Sequence, residues 1–377
     1  MERKPKKDPK DMRHGYTTGA CATAVTKAAL LALITNEEQE TSTIHLPIGR
    51  DATFTIEKCT FGHNEVSCET IKDAGDDPDA THKALIIGTV SWADTPGIHL
   101  DGGIGVGRVT KPGLPVAVGE AAINPVPRKM IHSTVQDVLD DFQITRGVNV
   151  VISVPDGEEI AKKTLNGRLG ILGGISILGT RGTVVPFSSS AYMASIVQAI
   201  SVARAAGCDH VVVTTGGRSE KFGMAEYPAL PEEAFIEMGD FVGFTLKHCK
   251  RLGIKRVSLV GMMGKFSKVA QGVMMVHSKS AAIDFNFLAQ LATDIGADEE
   301  TVEQVRAANT ASQVGEIMAD KGYDAFFHHL CEACCYSSLH HIRGGLTLST
   351  SIYSMQGQLL GRADDIASID EINWDRG

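Results

Sequence analysis

DGGIGVGRVTKPGL, residues 101–114, decides how the first half of this chain can fold. Asp101, Gly103, Gly105 and Gly107 form D-x-G-x-G-x-G, the spacing found where a nucleotide-type ligand rests on a strand-to-helix turn. Such a turn works because glycines let backbone N–H groups approach the ligand, with a helix N-terminus behind them. A helix must therefore come next. Here the glycines run into Arg108-Val109-Thr110-Lys111-Pro112-Gly113-Leu114-Pro115. Two prolines and a β-branched pair make a poor first helical turn, so the stretch reads as a sharply twisted loop or hairpin.

Upstream, Thr17 or Thr18 caps a helix running through Ala22, Val25, Ala29 and Leu33. Residues 52–72 alternate on either side of Gly-His-Asn and predict a β-hairpin, and KALIIGTVSW predicts a further strand. Downstream, Asn124-Pro125 opens a helix through Met130, Val135 and Leu139. NVVISVP is a strand, and Asp156 caps the short helix GEEIAKKTL. Residues 1–186 thus read as an α+β domain with largely antiparallel strands.

From Ser188 the rhythm changes. The helix SSAYMASIVQAISVARAAG leads to the strand HVVVTT, and PEEAFIEMGDFVGFTLKHC, read as one helix, leads to RVSLVGM. Alternating helices and apolar strands predict a Rossmann-like α/β domain with a parallel sheet over 187–343, with helices at 279–295, 299–320 and 323–341. Residues 344–377 read as a hairpin and tail packing back on the body.

The bulk properties narrow the function classes. The 377 residues are 43% hydrophobic and 21% charged, with a formal net charge of -9. That balance speaks against nucleic-acid partners and anionic membranes, which need basic surface. The basic start MERKPKKDPKDMR has no apolar segment behind it, so it does not read as a signal peptide; no apolar run reaches a membrane span. The eight cysteines form no small-scaffold framework and suit a reducing cytoplasm. A homo-oligomer is compatible with all of this.

Five stretches interrupt regular patterns. GYTTGACATA places N–H groups and a helix dipole at a turn, as a grip for a carboxylate or phosphate or as an ordinary helix cap. Residues 164–186, with glycines set among Leu and Ile, suit backbone packed against something flat and apolar, or a buried crossover. VVVTTGGRSEKFG and VSLVGMMGKFSK end neighbouring parallel strands with Thr214, Thr215, Gly216, Gly217, Gly261 and Gly264. Ligands of open α/β sheets bind outside such strand ends, so these six are the candidate cofactor residues. The fifth, HHLCEACCYSSLHH at 328–341, has metal-ligand residue types. It lies on one helix without a second knuckle, so it reads as core cysteines with surface histidines and no metal site.

Together GYTTGACATA, DGGIGVGRVTKPGLPVAVGEAAINPVPRKMI, TLNGRLGILGGISILGT and VVVTTGGRSE, in this order over residues 13–265, resemble the cobalt-precorrin-5B C1-methyltransferases of the anaerobic cobalamin pathway. Gly167 and Arg181 depart from that pattern, and the Cys/His helix is not part of it. The resemblance implies methyl transfer from S-adenosylmethionine to C-1 of cobalt-precorrin-5B, giving cobalt-precorrin-6A and S-adenosylhomocysteine, with cobalt present only inside the substrate. It also implies a fold unlike that of the other precorrin methyltransferases, and a large flat substrate fringed with carboxylates. For those carboxylates and the ring, the candidates are Thr17, Thr18, Gly19, Gly103, Gly105, Arg108, Lys111, Arg128, Asn166, Arg168, Gly173 and Gly174, with Arg13 and Lys129 nearby. Asp101, His99 and Glu120 are candidates for a base, each with a plainer structural reading. Two other classes compete: a small-molecule kinase with glycine loops on phosphates, which lacks a Walker lysine, and a non-catalytic corrinoid or cobalt carrier.

Overall fold

Thr17 starts the first helix. Its extended backbone leaves the side chain free to accept from the Ala20 N–H at 3.2 Å, and α1 (Thr18–Thr35) runs on to a left-handed Asn36. Ala22, Val25 and Ala29 are buried as expected, but α1 is not one-faced: Thr18 through Thr26 are buried without a break. Its Ala, Gly, Thr and Cys side chains are small enough for neighbours to approach from every side. The buried Thr23 and Thr26 hydroxyls donate back to Gly19 and Ala22 carbonyls at 2.8 and 2.7 Å. By length and a mean hydropathy of 1.5, α1 is the one helix among the described residues that matches a membrane span, which corrects the expectation that none does. It is a core helix, 72% buried in its own unit.

This computed structural model describes residues 11–277 and 280–371, and the chain separates into two units at Ser189/Ser190. The basic residues 1–10, the start of the helix expected at 279 and the end of the tail, 372–377, lie outside the described residues.

In the first unit, the strands expected to form one hairpin at 52–72 divide between two sheets. β2 (Thr41–Leu46) pairs with β3 (Arg50–Thr55), while β4 (Lys58–Phe61) pairs with β5 (Glu65–Ile71). The chain changes partner at Ile56 and Glu57, whose N–H groups go to Glu40 and Glu69 carbonyls. β4 and β5 continue through β6 (Leu85–Trp92) and β10 (Val148–Ser153) to an edge strand, β7 (Ile98–Gly102), parallel to β10. Ile86, Val90, Val148, Val150 and Ile152 belong to the core that also holds α1 and α2 (Pro125–Asp141). Gly88 lets α1 approach β6, because a Cβ there would lie 2.8 Å from a Val25 methyl. Asp156 precedes α3 (Gly157–Ala161), but its side chain makes no capping bond, contrary to expectation.

In the second unit, α4 (Ser189–Ala205) leads to β14 (His210–Thr214), as read from the sequence. The next expected helix, 231–249, is not one. Glu232–Ala234 forms a single 3-10 turn, β15 (Phe235–Glu237) pairs in parallel with β14, and only α6 (Val242–Arg251) is helical. Gly239, at φ +58, breaks the run, and Phe235 and Ile236 are buried as strand residues. A helix absent from the sequence reading, α5 (Gly217–Glu226), joins β14 to β15.

β16 (Arg256–Met262) comes next, then α7 (Met263–Ala270), α8 (Phe285–Asp294), α9 (Glu299–Arg306), α10 (Ala311–Asp320) and α11 (Asp324–Ile342). The expected helix 299–320 breaks before Thr310, whose hydroxyl caps α10 by accepting from the Gln313 N–H at 3.1 Å. β17 (Thr347–Tyr353) and β18 (Leu359–Ile366) form the expected hairpin. They also complete the sheet, in the order β15-β14-β16-β17-β18, with only β18 antiparallel. Building starts at β14, steps out to β15, then returns past β14 to β16. Such a reversal opens a crevice at the carboxyl ends of the two central strands.

Candidate functional site

The opening motif leaves the carboxyl end of β7 and enters a mesh of two-residue strands, with no helix behind the glycines. β8 (Gly105–Val106) runs parallel to β12 (Gly174–Ile175), and β9 (Arg108–Val109) antiparallel to β11 (Ile171–Leu172). Ile123 bridges Ile177 in the same mesh. The chain continues to β13 (Thr183–Val184), which pairs with β1 (Gly15–Tyr16) beside the start of α1. Three stretches far apart in sequence, 15–19, 101–124 and 166–184, are therefore one construction.

Its glycines face inward. Gly105, at φ +70, would place a Cβ 1.8 Å from the Val154 carbonyl oxygen. A Cβ on Gly174 or on Gly157 would lie 2.1 or 2.0 Å from the Gly105 carbonyl oxygen. One on Gly103 would lie 2.4 Å from Ser153 Oγ. These residues are glycine so that backbone can meet protein, and the expectation that they bare backbone to a ring fails at Gly103, Gly105 and Gly174. Gly173, at φ +81, has open space around its missing side chain, as do Gly119 and Gly167.

The start of α1 is closed in the same way. The Gly19 N–H donates to the Leu178 carbonyl at 3.0 Å and the Leu178 N–H to Thr18 Oγ1 at 2.9 Å, while Thr17 caps its own helix. The N–H groups of Thr17 and Gly19, expected to be free for a carboxylate, are in fact held by the Gly182 and Leu178 carbonyls, and at Thr18 the hydroxyl is engaged by the same loop. Asn166 is buried and donates to the Gly174 carbonyl at 3.1 Å, holding the mesh together. Arg13 is occupied by Asp73, and Lys111 and Arg168 have partners within the protein.

What the mesh presents outward is charge and apolar side chain. Arg108 donates to Asp101 at 2.8 Å and to the Gly119 carbonyl at 3.3 Å, and Arg128 lies 3.4 Å from Glu120. The Arg108 hydrogen bond, with that of the Gly102 N–H, outweighs burial and holds the Asp101 carboxyl below its ordinary range; the charge of Arg128 adds to this. A carboxylate stabilised in that way is a poor proton acceptor and a good anchor for a guanidinium. His99, exposed on β7, bonds Thr95 Oγ1 at 2.9 Å. Among these charges Leu172, the cross-strand partner of Arg108, and Ile104 are exposed at 55% and 76%. Leu178, at 47%, is exposed where the mesh covers α1. Sequence reading missed these leucines and also His132 on α2, whose pKa is lowered by burial and then by the charge of Arg128.

The second cluster lies at the carboxyl ends of β14, β15 and β16. Here glycine does leave space: nothing stands within 4 Å of a Cβ built on Gly217 or Gly264. Gly216 meets only Glu237 Oε1, at 3.9 Å. Ser219 Oγ accepts from the Thr215 N–H at 3.1 Å and donates to the Gly216 carbonyl at 2.8 Å, which fixes the turn into α5. Lys265 donates to the Thr215 carbonyl at 3.1 Å; its Nζ is also 3.1 Å from Asp240 Oδ1, near enough to pair although not aligned for a hydrogen bond. Two of the six candidates do not belong to the open part. Gly261 is closed by Phe266, 2.4 Å from its built Cβ, and Thr214 is fully buried with an unpartnered hydroxyl. Glu237 and Asp240 were missed because 231–249 was read as helix, and Lys265 because only the glycines of its stretch were weighed; the signal was an acidic residue about twenty positions beyond a strand-glycine-helix turn.

Cys331, Cys334 and Cys335 are all fully buried on α11, where Cys334 bonds the Phe266 carbonyl and Cys335 bonds Thr350. Desolvation raises all three thiols. No group of three or more His, Cys, Asp or Glu placed to hold a metal ion occurs among the described residues.

A mesh with arginines and exposed leucines in one unit, and a largely parallel sheet with open glycines at its strand ends in the other, define a mixed α/β protein. Comparison with known proteins makes the class specific. The sequence matches the family described as CbiD over residues 5–186 and that described as CbiD, C-terminal domain, over residues 275–364. It is 71% identical to the cobalt-precorrin-5B C(1)-methyltransferase of Geobacillus sp. (strain WCH70), over 94% of this chain and 97% of that protein. It is 41% identical to the protein of the same name from Leptospira interrogans (serovar copenhageni, strain Fiocruz L1-130), over 95% and 97%. The crystal structure of the cobalamin biosynthesis protein cbiD from Archaeoglobus fulgidus is 25% identical with a TM-score of 0.37, covering 82% of this chain and 85% of that one. The chain belongs to the CbiD family.

Proposed function

We propose that this protein methylates C-1 of cobalt-precorrin-5B, taking the methyl group from S-adenosylmethionine and releasing cobalt-precorrin-6A and S-adenosylhomocysteine, in the anaerobic cobalamin pathway of the cytoplasm. The observation that carries the reaction is the 71% identity, along nearly the whole chain, to a relative of that name.

The two clusters supply two kinds of grip. On the first unit, an α+β domain, Arg108 and Arg128 are matched to the acetate and propionate carboxylates of a corrinoid, and exposed Ile104, Leu172 and Leu178 to its apolar faces. Asp101 and Glu120 act as placeholders. Each keeps an arginine extended and gives way to a substrate carboxylate, so the ground state already has the guanidinium in position. On the second unit, a Rossmann-like domain, the cofactor belongs with Thr215, Gly216, Gly217 and Gly264, where open glycines and the N-terminus of α5 can take its polar groups. S-adenosylmethionine supplies an electrophilic methyl on a sulfonium, and the protein's part is to bind and align. Of the three candidate bases, paired Asp101 and Glu120 are the less suited, and exposed His99 keeps the role open to a nitrogen base.

Purified protein incubated anaerobically with cobalt-precorrin-5B and S-adenosylmethionine yields a product one methyl group heavier by mass spectrometry. Folded protein that gives no such product overturns the reaction. Calorimetric titration of Gly217→Val and Arg108→Ala with each ligand tests the placement: the first loses cofactor only, the second corrinoid only, and the inverse result overturns it.

A further inference from the structure

Three features of the second unit converge on one side chain. β14, α5 and β15 form a strand–helix–strand unit with parallel strands, entered through the open glycines Gly216 and Gly217. β15 ends on Glu237, which is exposed while Phe235 and Ile236 before it are buried, so the strand aims its last side chain out of the sheet. Its Oε1 lies 3.9 Å from the Cβ position of Gly216, so carboxylate and glycine turn border the same space. Tyr192 backs the strand end, its hydroxyl reaching the Glu237 carbonyl at 3.5 Å.

We propose that Glu237 accepts the ribose hydroxyl hydrogens of the bound nucleoside. This rests on the cofactor placement proposed above. A carboxylate has acceptors only, and a vicinal diol has two donors about as far apart as the two carboxylate oxygens, so the pair can bond twice. A phosphate in the same place would be repelled. The site therefore takes a nucleoside with an unphosphorylated ribose, such as S-adenosylmethionine, and rejects one bearing a 2′-phosphate.

The test uses S-adenosylhomocysteine and its analogue lacking both ribose hydroxyls, titrated calorimetrically into native protein, Glu237→Ala, Glu237→Gln and Gly217→Val, each checked for native circular dichroism. Native protein prefers the hydroxylated ligand by about ten- to a hundredfold. Glu237→Ala loses that preference and binds both as weakly as native protein binds the analogue; Glu237→Gln keeps a fraction of it. If Gly217→Val abolishes binding while both Glu237 variants keep native affinity and preference, the ribose role is overturned and the cofactor placement stands. If all three variants bind as native, both are overturned. Should Glu237→Ala weaken both ligands equally, the residue shapes the turn and does not read the ribose.

Discussion

The two glycine-rich turns, one in each unit, look alike in sequence and serve opposite ends. In DGGIGVG the missing side chains are filled by the protein itself: the Val154 carbonyl oxygen stands about where a Gly105 Cβ would, and side chains of Val106, Ser153 and Ile171 crowd Gly102, Gly103 and Gly107. In TTGG, Gly217 has empty space at the same place. A glycine fingerprint thus records only that something comes close. Whether that something is a ligand or another strand depends on the next element of the chain: two-residue strands after the first turn, a ten-residue helix after the second.

Substitution separates the two uses most sharply at Gly105. Gly105→Ala forces a side chain onto the Val154 carbonyl at a positive φ, and should cost about 3 kcal/mol or more, or prevent folding. Urea unfolding measures it, and a loss under about 1 kcal/mol would erase the contrast between the turns. Arg108→Ala should weaken corrinoid binding by roughly 1.5–3 kcal/mol, as for a hydrogen bond to a charged group, while leaving cofactor affinity unchanged. Gly217→Val should do the reverse. It should lower cofactor affinity at least about tenfold and change stability by roughly 1 kcal/mol or less, since nothing is packed against it.

The smallest effect is electrostatic. Asp101 is held below its ordinary pKa in the folded protein, so its pair with Arg108 stabilises above about pH 4 and ceases to do so as pH falls through the depressed value. The side chains of Asp101 and Arg108 are 56% and 47% exposed, which keeps the contribution below about 1 kcal/mol. Unfolding of native protein and Arg108→Ala across pH 2–7 should show a small gap at neutrality that closes in acid.

Much of this was legible in the sequence. Long periodic segments declared themselves, as at α1, α2 and α11, and so did the apolar strands β14 and β16. The proline-rich sequel to DGGIGVG argued against a nucleotide loop there, and no helix follows those glycines. The mesh was not legible, because its two-residue strands are too short to show any period and are defined by partners some sixty residues away. Nor was the break at Phe235–Glu237, where apolar spacing suits a helix as well as a strand and pairing with β14 decides. For the site, residue type was a better guide than role. Arg108 and Arg128 are paired with Asp101 and Glu120 on the mesh, whereas Thr18, Gly105, Gly174 and Gly261 were chosen for an openness they do not have.

The position of β17 in its sheet has a consequence for how the protein is made. It lies between β16 and β18, hydrogen-bonded to both, yet the ribosome delivers it only after α7 through α11. A nascent chain can complete the core of its first unit while β16 still waits with one edge bare. At roughly 5–20 residues per second, that exposed edge persists for several seconds. Val257, Leu259 and Val260 of β16 are fully buried in the finished fold, so this interval is when the chain is most open to pairing with the wrong strand.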